Sequence, residues 1–128
     1  LMRGVLLALA FAGAFAAPVI NTPNGDVQGI VDSDSGSLLF RGIPYAEPPT
    51  GARRFAPPAA KQPWGNATLD ATNAGPACYQ FETDMAVNTS LPQSEDCLTV
   101  DVAMPAGADP SSSLPVMVWI HGGGFVSG

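Results

Sequence analysis

Val116-Met117-Val118-Trp119-Ile120-His121-Gly122-Gly123-Gly124-Phe125 is the stretch from which the rest of the chain can be understood. Its first five residues are apolar without a polar break, and three are β-branched. Such a run predicts a strand covered on both faces. It leads straight into three glycines. Without Cβ atoms, successive amides can turn inward and approach a ligand closely. A phosphate cradle would need Gly-Lys-Ser/Thr at its end, whereas Phe125-Val126-Ser127 stands here. Acyl transfer fits better. Charge gathers on a carbonyl oxygen in its transition state, and losing one amide donor costs about 3–4 kcal/mol there. The plain alternative is a flexible turn. The chemical reading requires the Gly123 and Gly124 amides to face a cavity rather than a ladder partner.

Working back along the chain, Leu98-Thr99-Val100-Asp101-Val102-Ala103 alternates with period two and predicts a strand with one buried face. Residues 105–115 read as a turn-rich connection. At the other end, Val19–Thr22 and residues 27–31 are strand candidates separated by Pro23-Asn24-Gly25, a hairpin signal. Leu38-Leu39-Phe40 is a third strand, so the opening reads as a small antiparallel meander. Prolines at 44, 48, 49, 57, 58 and 63 rule out helix or ladder across residues 42–63. A long ordered loop is expected there, with a short strand around residues 67–69. No convincing amphipathic helix is available to cover the sheet. The sequence therefore reads as part of a larger fold.

Composition narrows the function. A net charge of -6, from 5 basic and 11 acidic residues in 128, gives nucleic acid no electrostatic footprint. The first sixteen residues read as a signal peptide. Arg3 precedes eleven apolar residues at 5–15, too few to span a bilayer, and Ala14-Phe15-Ala16 suits cleavage after Ala16. Met2 reads as the start. A buried or anchoring helix is the alternative. Secretion, with no stable membrane insertion, is thus expected. In that compartment the pair Cys78 and Cys97 reads as a disulfide, although two free thiols are also possible. Two cysteines and one histidine make no zinc shell, so neither metal nor cofactor is expected. Asn66-Ala67-Thr68 and Asn88-Thr89-Ser90 are glycosylation sequons.

Four blocks then coincide in order. They are Phe40-Arg41-Gly42-Ile43-Pro44-Tyr45-Ala46-Glu47-Pro48-Pro49, then Gly51 with Arg54-Phe55 and Pro57, then Ser94-Glu95-Asp96-Cys97-Leu98-Thr99-Val100, then residues 118–125. Together they resemble the type-B carboxylesterase/lipase family, which includes the cholinesterases. The resemblance implies an α/β fold: the N-terminal portion of an α/β-hydrolase, a small antiparallel meander plus the first strands of the central sheet, incomplete within these residues, with 17–128 as its N-terminal part.

The same resemblance implies roles. Gly123 and Gly124 become oxyanion-hole donors. Cys78 and Cys97 close the family's first disulfide loop. Arg54 and Glu95 form a buried ion pair. His121, preceding the glycines, is structural rather than the base. The nucleophile elbow Gly-x-Ser-x-Gly, the acid and the base histidine are not in the 128 residues, and Ser127 has no base beside it. The expectation is a secreted serine esterase acting on small-molecule or lipid esters in its full-length form, with this segment inactive alone. Choline esters are disfavoured, because the Cys78–Cys97 loop holds Tyr79 and Phe81 but no Trp for a quaternary ammonium. A catalytically dead, neuroligin-like adhesion protein and a non-folding truncated product are the rival readings.

Overall fold

The computed structural model describes residues 16–80, 91–109 and 111–128. The signal-peptide reading of residues 1–15, and Phe81 and Asn88, lie outside them. Among the described residues are β1 (Val19–Thr22), β2 (Gly25–Gln28), β3 (Ile30–Val31), β4 (Leu38–Pro44), β5 (Gly65–Asp70), β6 (Ala77–Cys78), β7 (Gln93–Ser94) and β8 (Thr99–Met104), with one 3-10 turn at Gly51–Arg53. They form sheets β1-β2-β5, β3-β4-β8 and β6-β7.

β1 and β2 make the expected antiparallel hairpin, Thr22 opposite Gly25. The Thr22 hydroxyl closes the turn by donating to the Gly25 carbonyl at 2.7 Å. The strand expected over residues 27–31 is instead cut in two at Gly29. A Cβ there would fall on the Leu39 carbonyl oxygen, so only glycine lets the backbones pass this closely. Past that crossing the chain leaves the first sheet and pairs, as β3, with β4. The meander is therefore two linked antiparallel pairs rather than one sheet.

β5 joins β2 in parallel, with Asn66 and Ala67 bulged out between the Gly25–Gly65 and Asp26–Thr68 pairs. Trp64 anchors its start, its indole N–H donating to the Asp26 carbonyl at 2.9 Å. Ala71 ties the two larger sheets together. Its N–H reaches Gln28 and its carbonyl accepts from Arg41, both at 2.8 Å. Val27, Phe40 and Ala71 are fully buried at this junction, with Ile20, Leu38, Ile43, Trp64, Leu69 and Met104 packed around them.

β8 runs antiparallel to β4 with an irregularity between Phe40 and Ile43. The Asp101 carboxylate accepts the Gly42 N–H there at 2.8 Å, replacing a ladder bond. Gly42 has φ +67, and a Cβ on it would meet the Asn73 carbonyl oxygen at 2.9 Å.

Two expectations about burial are corrected. Residues 116–120 form no strand, and their side chains are between 77% and 94% exposed. Val100 and Val102 of β8, meant for a buried face, are also exposed. The reason is the same in both cases. β-propensity expresses packing against neighbouring strands and covering layers, and among the described residues nothing pairs with 116–120 or covers β8.

The proline-rich stretch is an ordered loop beyond Pro44, but the expected exclusion of ladder and helix across 42–63 is corrected: Ile43 and Pro44 pair with Val100 and Thr99 of β8, with Pro44 at the strand end where its missing N–H costs least, and Gly51–Arg53 form a 3-10 turn. Ala46 bridges Ala60, and Glu47 clamps the returning limb. Its carboxylate accepts the Gln62 N–H at 2.8 Å and lies 3.5 Å from the Lys61 ammonium. The Gln62 N–H holds its carboxyl below the usual value of 4.5 against the opposing effect of burial, with a lesser lowering from the Lys61 charge.

Candidate active site

The glycine loop turns sharply after residue 122. Gly123 has φ +125, Gly124 +60 and Phe125 +64. Positive φ at two consecutive central positions suits glycine first and is strained at Phe125. The Gly123 carbonyl accepts N–H groups from Val126 at 3.1 Å and Ser127 at 3.2 Å. A Cβ on Gly123 would fall on the Ser127 carbonyl oxygen, so the turn closes only around glycine. Among the described residues the Gly123 and Gly124 N–H groups have no hydrogen-bond acceptor.

Facing this loop is the disulfide segment. Cys78 and Cys97 are joined, with Cα atoms 5.1 Å apart. β6 and β7 run in parallel just inside the crosslink, Ala77 opposite Gln93 and Cys78 opposite Ser94. A cleft of about 620 Å³ opens between the two, lined by Cys78, Tyr79 and Gln80 on one side and by His121, Phe125 and Ser127 on the other. Gly123 and Gly124 are not part of its wall. They stand solvent-exposed beside it, so the cavity expected directly in front of them is not formed by the described residues.

The remaining candidates fall as follows. Arg54 Nε lies 2.6 Å from Glu95 Oε1, but the side chains are 56% and 36% exposed. The expected burial is corrected: the pair lies at the surface, with the Arg54 guanidinium 5.2 Å from the Phe55 ring centroid. An exposed pair of this kind contributes about 0.2–1 kcal/mol, and it ties the limb after the Gly51–Arg53 turn to the stretch before Cys97. His121 Nδ1 sits 2.7 Å from the Gly122 carbonyl, which can only accept, so the ring donates there. Ser127 Oγ is 3.5 Å from the Gly123 carbonyl. No hydrogen bond joins it to His121 among the described residues. Asn66 is exposed on the β5 bulge. No group of three metal-ligating side chains occurs among the described residues.

Three residues escaped sequence reading. Trp64, Asp101 and Gln80 each work through a contact to a distant backbone, the last with Gly128, 48 positions on. Only Gln80 carried any local signal, as a polar residue two places after a cysteine.

A model of the carboxylesterase family matches residues 16–128. The chain belongs to the carboxylesterase family. It is similar to the pyrethroid hydrolase Ces2a of Mus musculus, 43% identical over 125 residues, covering 88% of this chain and 22% of that protein. The cocaine esterase of Oryctolagus cuniculus is 41% identical, with 88% and 23% covered. Among solved structures, a PNB esterase superposes with TM-score 0.75 at 42% identity, covering 88% of this chain and 23% of that one. The fold is accordingly part of an α/β-hydrolase. The chain spans about a fifth of the length of the curated relatives it matches.

Proposed function

We propose that this carboxylesterase-family segment supplies the oxyanion loop of a secreted serine hydrolase of carboxylic esters. The observation that carries the reading is the match of residues 16–128 to the carboxylesterase family; the cavity that the glycine amides require is not formed by the described residues. Gly123 and Gly124 hold amides without acceptors, and the turn is closed to a larger residue at Gly123. Such donors offer little to a ground-state carbonyl and much to one gaining charge, which is what lowers a barrier. Family membership supports the ester as substrate, since the relatives named above are esterases and hydrolases by name.

The nucleophile, acid and base belong to sequence outside these 128 residues, so the segment alone is inactive. Neutral small-molecule or lipid esters are the preferred substrates. Passage through the secretory pathway is supported by the Cys78–Cys97 crosslink and by the exposed Asn66 sequon on the β5 bulge, where a glycan would meet no packed neighbour.

The test is expression of the complete polypeptide carrying this segment in a secreting eukaryotic host. The medium should hydrolyse p-nitrophenyl butyrate, and a fluorophosphonate should label a serine. Endoglycosidase should shift the band, and less so for Asn66→Gln. A secreted, folded product that neither hydrolyses esters nor takes the label would instead favour the adhesion-type reading.

A further inference from the structure

The Asn66 sequon sits in a turn, and the turn starts on a tryptophan. The Ala67 N–H donates to the Trp64 carbonyl at 3.3 Å, which closes Trp64-Gly65-Asn66-Ala67 on itself. Gly65 takes φ +64 inside it, the left-handed region that glycine fills without strain. Asn66 and Ala67 then bulge away from β2. Asn66 and Thr68 are exposed, and neither side chain has a hydrogen-bond partner among the described residues.

Trp64 differs from the exposed aromatics of the chain because its ring is fixed. Its backbone N–H donates to the Asn24 carbonyl at 2.8 Å and its indole N–H to the Asp26 carbonyl at 2.9 Å. Gly25 lies against Cδ1 and Nε1, where an added Cβ would come within 2.6 Å. The ring is half-buried and packs against the core of Val27, Phe40 and Ala71. The surface beside it is open: a Cβ built on Gly65 would meet nothing within 4 Å. A rigid, partly exposed indole thus stands two residues before the Asn66 amide, with open space at the residue between.

A pyranose carries C–H bonds of slight positive charge on one face, and the face of an indole is negative. Stacking the two also removes apolar surface from water. The ordering cost is small when the ring is already held and the tether is one turn long. We propose that the first N-acetylglucosamine of an Asn66 glycan packs on the Trp64 indole and pins the start of β5 to the β1–β2 hairpin. This rests on the secretory reading above. Transfer of the glycan joins Asn66 Nδ2 to the sugar's anomeric carbon. It releases one amide proton and the pyrophosphate of a lipid-linked oligosaccharide donor. Trp64 takes no part in that step and holds its product.

The experiment uses the complete polypeptide, secreted from a eukaryotic host and trimmed with an endoglycosidase that leaves one N-acetylglucosamine. Glycopeptide mass spectrometry reads occupancy of Asn66, and hydrogen–deuterium exchange reads residues 25–28 and 65–70 of β2 and β5. Thr68→Ala removes the sequon while keeping Trp64 and Asn66. The trimmed parent should exchange about two- to tenfold more slowly than Thr68→Ala over those residues. In a Trp64→Leu background the same sugar should slow exchange by less than about twofold, a comparison that cancels any effect of Thr68→Ala itself. Trp64→Phe keeps a smaller ring and carries the comparison should the leucine variant not fold; the sugar's protection should be weaker there than in the parent. An unoccupied Asn66, equal exchange with and without the sugar, or protection undiminished in both Trp64 variants overturns the proposal. Secretion with glycosylated Asn66 but without that protection overturns the proposal alone, and failure of secretion overturns it together with the secretory reading.

Discussion

At the scale of single residues, glycine does the shaping. Gly123 combines φ +125 with a Cβ position occupied by the Ser127 carbonyl oxygen. Alanine there must distort the turn, and the Gly124 amide moves with it. If the proposed oxyanion role holds, Gly123→Ala is expected to lower kcat of the complete polypeptide at least about a hundredfold, the effect of losing one donor, in a p-nitrophenyl ester assay. Gly29 and Gly42 matter differently, each letting two backbones approach. A donor role at position 123 was read from three glycines after an apolar run, and it stays a proposal. Gly29 was not legible, since nothing adjacent says that a second strand will cross there.

At the scale of elements, the proline-rich loop depends on one carboxylate. Glu47 receives the Gln62 N–H and the Lys61 ammonium, and its carboxyl is held below 4.5. Asp70, Asp109 and Asp32 are lowered as well, first by the hydroxyls of Thr72, Ser111 and Ser35 respectively. A carboxyl whose folded value lies below its unfolded one stabilises the fold above the unfolded value, and that stability is lost as pH falls through the folded value. Urea midpoints should therefore be flat near neutrality and drop below about pH 4.5. Glu47→Gln should flatten the drop. A Glu47→Gln curve parallel to the parent's would show that this clamp contributes nothing.

The hairpin of β1 and β2, the Pro-rich loop and the strand at 99–104 could all be read from alternation and turn residues. The bulges could not. The two residues of β4 that face a single residue of β8 are accommodated by Asp101, 59 positions from Gly42. No local pattern encodes a register slip that depends on a partner so distant.

At the scale of the molecule, the core is small and central. Phe40 is the largest fully buried side chain and sits where the two larger sheets meet. Phe40→Ala should cost about 3–5 kcal/mol, read as a shift in urea midpoint at constant slope. Reducing the crosslink, with its separation of 19 residues, should cost about 3 kcal/mol in the chain-entropy picture, read by thermal melting with and without reductant. Residues 116–120 present the opposite situation, an exposed apolar run of high β-propensity. Isolated residues 17–128 should bind a hydrophobic dye and self-associate at micromolar concentration, and Val118→Lys should suppress both. Monomeric sedimentation of the unsubstituted segment would refute this.

Taken by itself, the sequence determined the local alternatives: where most strands start and turn, and which family blocks are present. These follow from side-chain shape and backbone freedom within a few residues. Tertiary structure alone decided that residues 27–31 divide between two sheets, that Arg54 and Glu95 meet in the open, that 116–120 stays uncovered, and that Gln80 reaches Gly128. Pairing and burial are properties of two surfaces at once, and the second surface in each case lies far along the chain or outside it.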